Sequence, residues 1–339
     1  MYTETGDPSV LQLVERPVLE PGPDEVRVRI VVSGVNPTDW KSRRGAASGQ
    51  ALPFDEVVPG QDGAGIVEAV GADVQHVSVG DRVWLAIAAF QRSNSGSSQE
   101  LAVLPAERVF ALPASASFDQ GASLGVPAVT AYRALTVAED GPDTLHPDAL
   151  TGKIVLVAGG AGAVGHAAIQ LARWAGATVI TTVSGPSKAA LATAAGAHHV
   201  LTYTDSDIVD QIRAIAPEGV DQIVEVAPAQ NAELDLAVIR NRGSISVYAN
   251  NGGDEVTLDV RRHFALNVRY QFVLLYTVGI DAIRAAADAI NSAIDDGALG
   301  IGEETGLPLH RFDLAHTADA HALVESGAVG KVLIDVTVA

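Results

Sequence analysis

The chain has 339 residues, 47% of them hydrophobic and 19% charged, which is more than one ordinary domain needs and a globular rather than a disordered balance. A formal net charge of −19 repels phosphate backbones and anionic lipid, and so argues against nucleic-acid and membrane partners. There is no cysteine, which excludes disulfides, thiol catalysis and every cysteine-ligated zinc or iron–sulfur site, and fits a reducing cytoplasm.

The opening stretch Met1–Pro8 is polar and carries Glu4 and Asp7, unlike a signal peptide. From Glu25 to about Phe110 short β-rich runs follow one another. Val26–Val32 alternates at its start, and Ala64–Val70 and Asp81–Leu85 are similar. Asn36-Pro37, Pro59-Gly60 and Val79-Gly80-Asp81 punctuate them, so this part reads as a mostly β domain.

After Pro127 apolar strands alternate with alanine-rich helices. The strands are Ile154–Ala158, Thr178–Val183, Gln222–Val226 and Ser244–Tyr248; the helices are Val164–Ala175, Lys188–Ala195 and Ser206–Ile215. Strands apolar on both faces, joined by helices, predict a parallel sheet covered on both sides. A further strand, Tyr270–Val278, a helix from Asp281 to about Asp296 and a final strand-like run, Lys331–Val338, follow. Ile154–Ala172 carries no formal charge, but Gly159, Gly160, Gly162 and Gly165 break it, so a strand, a turn and a helix explain it better than a membrane span.

Within that stretch Gly160, Gly162 and Gly165 form a G-x-G-x-x-G pattern, after an apolar strand and at the head of a helix. That context suits a dinucleotide: Gly160 for the tight turn, Gly162 for backbone approach to a pyrophosphate, and Gly165 for close packing of the helix on the sheet. The helix is expected to offer free amides near Ala161, Ala163 and Val164. An NAD site usually ends the next strand on an acidic residue. Here Thr178–Val183 runs instead into Ser184-Gly-Pro-Ser-Lys188, and Ser184 with Lys188 suits a 2′-phosphate, so NADPH is expected over NADH.

These motifs sit in a wider pattern: Ser33–Asp39, Pro59–Gly65, Val79–Val83, Val126–Tyr132, the glycine loop, Gly196–Val200, Gly219–Glu225 and Gly330-Lys331. In order and spacing they resemble the medium-chain dehydrogenase/reductase superfamily, in its zinc-free, zeta-crystallin-like quinone oxidoreductase branch. The resemblance implies an α/β protein: a GroES-like, mainly β catalytic domain formed by both chain ends (1–125 and 279–339), and a Rossmann domain (126–278) that binds NADPH, with the active site in a cleft. It implies that Asn36 and Thr130 lie near the nicotinamide and its ribose, with Gln61 lining the same pocket. Tyr203 and Lys188 belong by the adenosine phosphate, Val226, Ala227, Tyr248 and Ala249 along the cofactor, and the backbone around Phe272, Val273 and Leu275 at the carboxamide. Lys331 follows a Gly-Lys pattern often close to the cofactor.

Zinc-dependent members of the superfamily carry a Cys where this chain has Asn36, a His where it has Gln61, and another Cys near Val126–Pro127. Neutral amides are poor zinc ligands, and the nine histidines form no compensating cluster, so no metal is expected. What remains is direct hydride transfer to a small electrophile, a quinone before an enone. Enoyl thioester reductases of this type carry a tyrosine that Trp40–Leu52 lacks. A dinucleotide-binding protein without turnover, serving as a redox sensor, is the reading of a different class. The family's usual opening strand before Tyr2–Gly6 is absent, and a family glycine after Tyr248 is replaced by Ala249. Finally, Gln271–Val278 reads as an apolar sheet edge through which two copies pair as a homodimer.

Overall fold

The computed structural model describes residues 1–46 and 52–337. Part of the run Trp40–Leu52 and Val338 of the final strand-like run therefore lie outside the described residues. The chain divides into two compact units, residues 1–126 with 308–339, and residues 127–307.

In the first unit the elements run β1 (Glu25–Val35), α1 (Pro37–Arg44), β2 (Asp62–Val70), β3 (Arg82–Leu85), β4 (Leu101–Pro105), β5 (Val109–Ala111) and α2 (Phe118–Gly121). The second contains α3 (Pro127–Thr136), β6 (Ile154–Ala158), α4 (Ala163–Trp174), β7 (Thr178–Val183), α5 (Pro186–Ala194), β8 (His199–Thr202), α6 (Ile208–Ile215) and β9 (Val220–Glu225). It continues through α7 (Pro228–Val238), β10 (Ile239–Val247), α8 (Val260–Ala265), β11 (Arg269–Phe272) and α9 (Ile280–Asp295). The chain then returns to the first unit with β12 (Leu309–Asp313), α10 (Thr317–Glu325) and β13 (Lys331–Asp335).

The first unit is built on a seven-stranded sheet in the order β12-β13-β1-β2-β3-β5, with β4 also paired to β1. The long β1 organises it: Glu25–Arg29 pair with β4, and Val32–Val35 pair with β13, which comes from the other end of the chain. The alternation seen in the sequence is the reason. Val26, Val28 and Ile30 point inward and are fully buried with Val83, Leu85, Ala102 and Leu104, each such side chain contributing about 1.5–3 kcal/mol of hydrophobic stabilisation.

The second unit is a six-stranded, all-parallel sheet in the order β11-β10-β9-β6-β7-β8. Strand order reverses between β6 and β9, which opens a crevice at their carboxyl ends. Among the described residues no helix is long and apolar enough to cross a membrane, and Ile154–Ala172 is β6, a turn and most of α4.

Two sequence expectations are corrected. The return to the first unit comes at Pro308, not at residue 279. The reason is the apolar stripe of α9: Ile283, Ala286, Ala287, Ile290 and Ile294 are buried against α3 and α4 of the second unit. The strand expected over Tyr270–Val278 stops at Phe272. The amide of Val273 still bonds Val247 O at 2.8 Å, but Leu275–Thr277 then form a 3₁₀ turn. The run is apolar because Val273 and Leu275 anchor this turn in the core, while Phe272 and Leu274 stay exposed.

Candidate functional site

The glycine loop leaves β6 at Ala158. Gly159 has φ +73°, the left-handed region that a side chain disfavours, and its carbonyl accepts the Gly162 amide at 3.0 Å. The tight turn thus falls to Gly159, a correction to the role expected of Gly160. A Cβ on Gly160 would lie 2.1 Å from Thr181 Oγ1 of β7, and one on Gly165 would lie 2.4 Å from Gly159 O. Both glycines let α4 press on the sheet. Gly162 is different: a Cβ there would meet only Gly159 O, at an ordinary 3.4 Å, and the residue is exposed at the N-cap of α4. Ala161 is buried beneath it, whereas Ala163 and Val164 are half-exposed. The first-turn amides of α4 have no carbonyl one turn earlier, and the positive end of a 12-residue helix faces the same space. A helix end of this kind suits an anion.

On one side of the crevice β7 ends at Val183. Ser184 is exposed, Lys188 sits half-buried in the first turn of α5, and the Tyr203 amide donates to Val183 O at 3.1 Å. Tyr203 is 46% exposed. The three residues expected near an adenosine phosphate are therefore together at the ends of β7 and β8, with no carboxylate at the end of β7.

On the other side the ends of β9, β10 and β11 are stitched together. Tyr248 N donates to Glu225 O at 3.1 Å and Asn251 N to Val226 O at 3.0 Å. Val226 faces the glycine loop: its Cγ1 would lie 3.2 Å from a Cβ on Gly159. Ala227 is buried, and Tyr248, Ala249, Phe272 and Val273 line a cavity of about 340 Å³. The Val273 amide is spent on the sheet, so it is not free for a ligand.

Beneath this edge lies a buried acid pair. Glu225 accepts from the Ala227 amide and, at 3.0 Å, from Asn231 Nδ2, while Asp235 of α7 stands beside it at 1% exposure. Burial first, and then the charge of Glu225, holds the Asp235 carboxyl well above the usual range, and burial raises Glu225 as well.

Thr130 is buried on the second turn of α3, in the second unit. Asn36, Gln61 and Lys331 belong to the first unit. There Asn36 is 2% exposed; its Nδ2 donates to Asp62 Oδ2 at 2.8 Å and its Oδ1 accepts from Lys331 Nζ at 2.8 Å. Lys331 also donates to Asp62 Oδ2 at 2.8 Å. The polar atoms of Asn36 and Lys331 are thus engaged with each other and with Asp62. Gln61 is nearly buried, and its Oε1 has no hydrogen-bond partner among the described residues. Asp39 of α1 accepts the Asn36 amide at 2.8 Å, and burial pushes its carboxyl up to about 7. Among the described residues no group of three or more His, Asp or Glu side chains is arranged to hold a metal.

Sequence reasoning gave no role to Asp62, Asp39, Glu225 or Asp235. Asp39, Asp62 and Glu225 stand inside quoted motifs, but only their burial, which a sequence does not display, marks them.

Comparison with known proteins identifies the family. Residues 22–114 match the family model for the alcohol dehydrogenase GroES-like domain, and residues 163–292 match the model described as zinc-binding dehydrogenase. A quinone oxidoreductase from Lama guanicoe is 32% identical over 98% of this chain and 95% of its own length. The structure of Escherichia coli quinone oxidoreductase complexed with NADPH superposes with a TM-score of 0.79 at 26% identity, over 98% of each chain. An NAD-dependent alcohol dehydrogenase superposes with 0.83 at 28%, also over 98% of each. The chain belongs to the medium-chain dehydrogenase/reductase superfamily, in its quinone oxidoreductase branch, with GroES-like and Rossmann-type domains.

Proposed function

We propose that the protein is an NADPH:quinone reductase that passes hydride from the nicotinamide to a quinone without a metal. The observation that carries the reading is the pairing of an open glycine cradle with a β7 end that offers Ser184 and Lys188 in place of a carboxylate. NADPH supplies the hydride. The protein's own part is positional. The α4 amino terminus holds the pyrophosphate, Lys188 and Ser184 meet the 2′-phosphate, and Tyr203 packs by the adenosine. The ends of β9, β10 and β11 wall the nicotinamide, with Ala249 narrowing the approach that a glycine would leave open. A quinone is already electrophilic, so orientation beside the cofactor does the work a Lewis acid does for an alcohol. Asn36 and Gln61, at the positions where zinc-dependent relatives hold their metal, support a metal-free reaction.

We further propose that the edge strand β11 pairs two copies into a homodimer.

The test is turnover with NADPH against a panel of quinones and small enones, before and after exhaustive chelation. Quinone reduction that survives chelation is the expected result. Activity confined to enones would move the assignment to double-bond reduction. Binding of NADPH with no turnover of any acceptor would make the protein a dinucleotide-binding sensor. Activity lost on chelation and restored by zinc would overturn the metal-free reading.

A further inference from the structure

Asp62 is fully buried and accepts three hydrogen bonds through its side chain. Its Oδ2 takes Lys331 Nζ and Asn36 Nδ2, each at 2.8 Å, and its Oδ1 takes the Val126 amide at 2.7 Å. Asp62 is fully buried and Lys331 is 1% exposed. Burying a charged pair is costly unless its hydrogen bonds are satisfied, so such a pair is weak evidence for stability and invites another explanation.

The backbone has been cleared to make room for it. A Cβ on Gly125 would lie 2.5 Å from Asp62 Oδ1, and one on Gly34 would lie 2.9 Å from Lys331 Cε. Gly330, with φ +114°, brings the chain so close that a Cβ there would sit 2.2 Å from Pro308 O; the next amide, Lys331 N, donates to that carbonyl at 2.8 Å.

Val126 and Pro308 are not arbitrary partners. Val126 is the last residue before the chain leaves the first unit, and Pro308 is the first residue after it returns. One ion pair therefore holds both crossings: Asp62 through the Val126 amide, and Lys331 through its own backbone bond to Pro308. Val126 also directly precedes α3, which carries Thr130.

We propose that Asp62 is a positioning residue for the reaction, clamping with Lys331 the two points at which the chain leaves and re-enters the first unit. The proposal rests on the reductase reading above. Hydride transfer depends steeply on placement, and an error of about 1 Å remote from the chemistry can cost a hundredfold in rate. A fixed exit and a fixed return are what such placement needs from a chain that crosses twice. Asp39 belongs to the same cluster through the Asn36 amide, and its carboxyl, raised by burial, keeps the number of buried negative charges low at neutral pH.

Three arms test this. In Asp62→Asn the lysine keeps its charge and loses its counterion, so both stability and turnover fall. In the double variant Asp62→Asn/Lys331→Met no charge remains, so the melting temperature recovers. If Asp62 positions, kcat with a quinone stays at least tenfold low in the double variant, while NADPH dissociation, read by nucleotide fluorescence, changes less than threefold. Recovery of kcat together with the melting temperature would make the pair merely structural and overturn the proposal. The third arm needs no variant. In the wild-type protein the Val126 amide is strongly protected from hydrogen exchange; exchange within tenfold of the free-peptide rate means there is no clamp, whatever the variants do. Wild-type protein that reduces no acceptor sinks the function reading and not the clamp, which the exchange arm then decides.

Discussion

At the scale of single residues, charge and burial decide the sharpest expectations. Lys188 stands in the first turn of α5, just past the end of β7, where an NAD-type site would place a carboxylate on the strand end. A charge-assisted hydrogen bond to a phosphate is worth about 1.5–3 kcal/mol, a factor of roughly ten or more. Lys188→Ala should raise the KM for NADPH by that factor and leave NADH nearly untouched; equal losses for both would show that Lys188 does not read the 2′-phosphate. His321 makes a different point. It is fully buried on α10, neither ring nitrogen has a hydrogen-bond partner among the described residues, and burial, followed by the charges of Arg43 and the amino terminus, pulls its pKa down to about 3. His166, buried on α4, is pulled down to about 4, chiefly by burial. A histidine of the unfolded chain takes a proton below pH about 6.5. The folded protein does not follow, so stability is full above that pH and drains away as pH falls toward the folded values. By linkage each residue costs about 2 kcal/mol between pH 7 and pH 5. His321→Leu should remove its share, and denaturant titrations at the two pH values will show it; an identical pH dependence in variant and wild type would mean that this histidine is not held neutral.

At the scale of elements, the glycine loop separates folding from binding. Gly162→Ala adds a methyl whose nearest neighbour, Gly159 O, lies at an ordinary 3.4 Å, at φ −81°, so the fold should survive, yet the methyl sits on the face proposed for the pyrophosphate. Gly165→Ala drives a methyl into Gly159 O and should cost about 1–3 kcal/mol of stability. The expected pattern is weakened NADPH binding at an unchanged melting temperature for the first, and a lowered melting temperature for the second. A Gly162→Ala protein that binds NADPH as tightly as wild type would remove the cradle from the site. These elements also show what the sequence made legible. The loop was legible because strand, glycines and helix occur in order; which glycine turns was not, because Gly159 and Gly160 are adjacent and a positive φ leaves no mark on the letters. The run Gln271–Val278 reads as a strand because it is apolar and carries no charge, and a 3₁₀ turn with two buried anchors looks the same. β12, Leu309–Asp313, went unseen because it is half-buried and carries His310, Arg311 and Asp313. The clamp at Asp62 was the least legible feature, since its partner Lys331 lies 269 residues away.

At the scale of the whole molecule, the proposed assembly rests on how the second unit ends its sheet. β11 is the last strand in the order, and among the described residues no strand lies beside its outer row of backbone groups. Bare edges of this kind are templates for pairing. Large apolar side chains are exposed on and just after β11, Phe272 at 62% and Leu274 at 58%, and on α8 before it, Phe264 at 66% and Val260 at 74%. Exposed apolar side chains of this kind suit an interaction surface, and a two-fold axis would let the same edge serve both copies. The charge of −19 on each chain opposes association, so salt, which screens charges beyond about 10 Å at 0.1 M, should tighten the dimer rather than loosen it. Because the strand ends at Phe272, a proline at Leu274 would act on the 3₁₀ turn and not on the ladder. Phe272→Lys is the better probe, since an exposed side chain tolerates the charge in the monomer while two lysines facing each other across the axis do not. Light scattering at micromolar concentration should give twice the 35.0 kDa chain mass for the wild type and a shift toward monomer for Phe272→Lys. A wild-type monomer in moderate salt would show that the edge stays open, and β11 would then need another reason for its exposed phenylalanine.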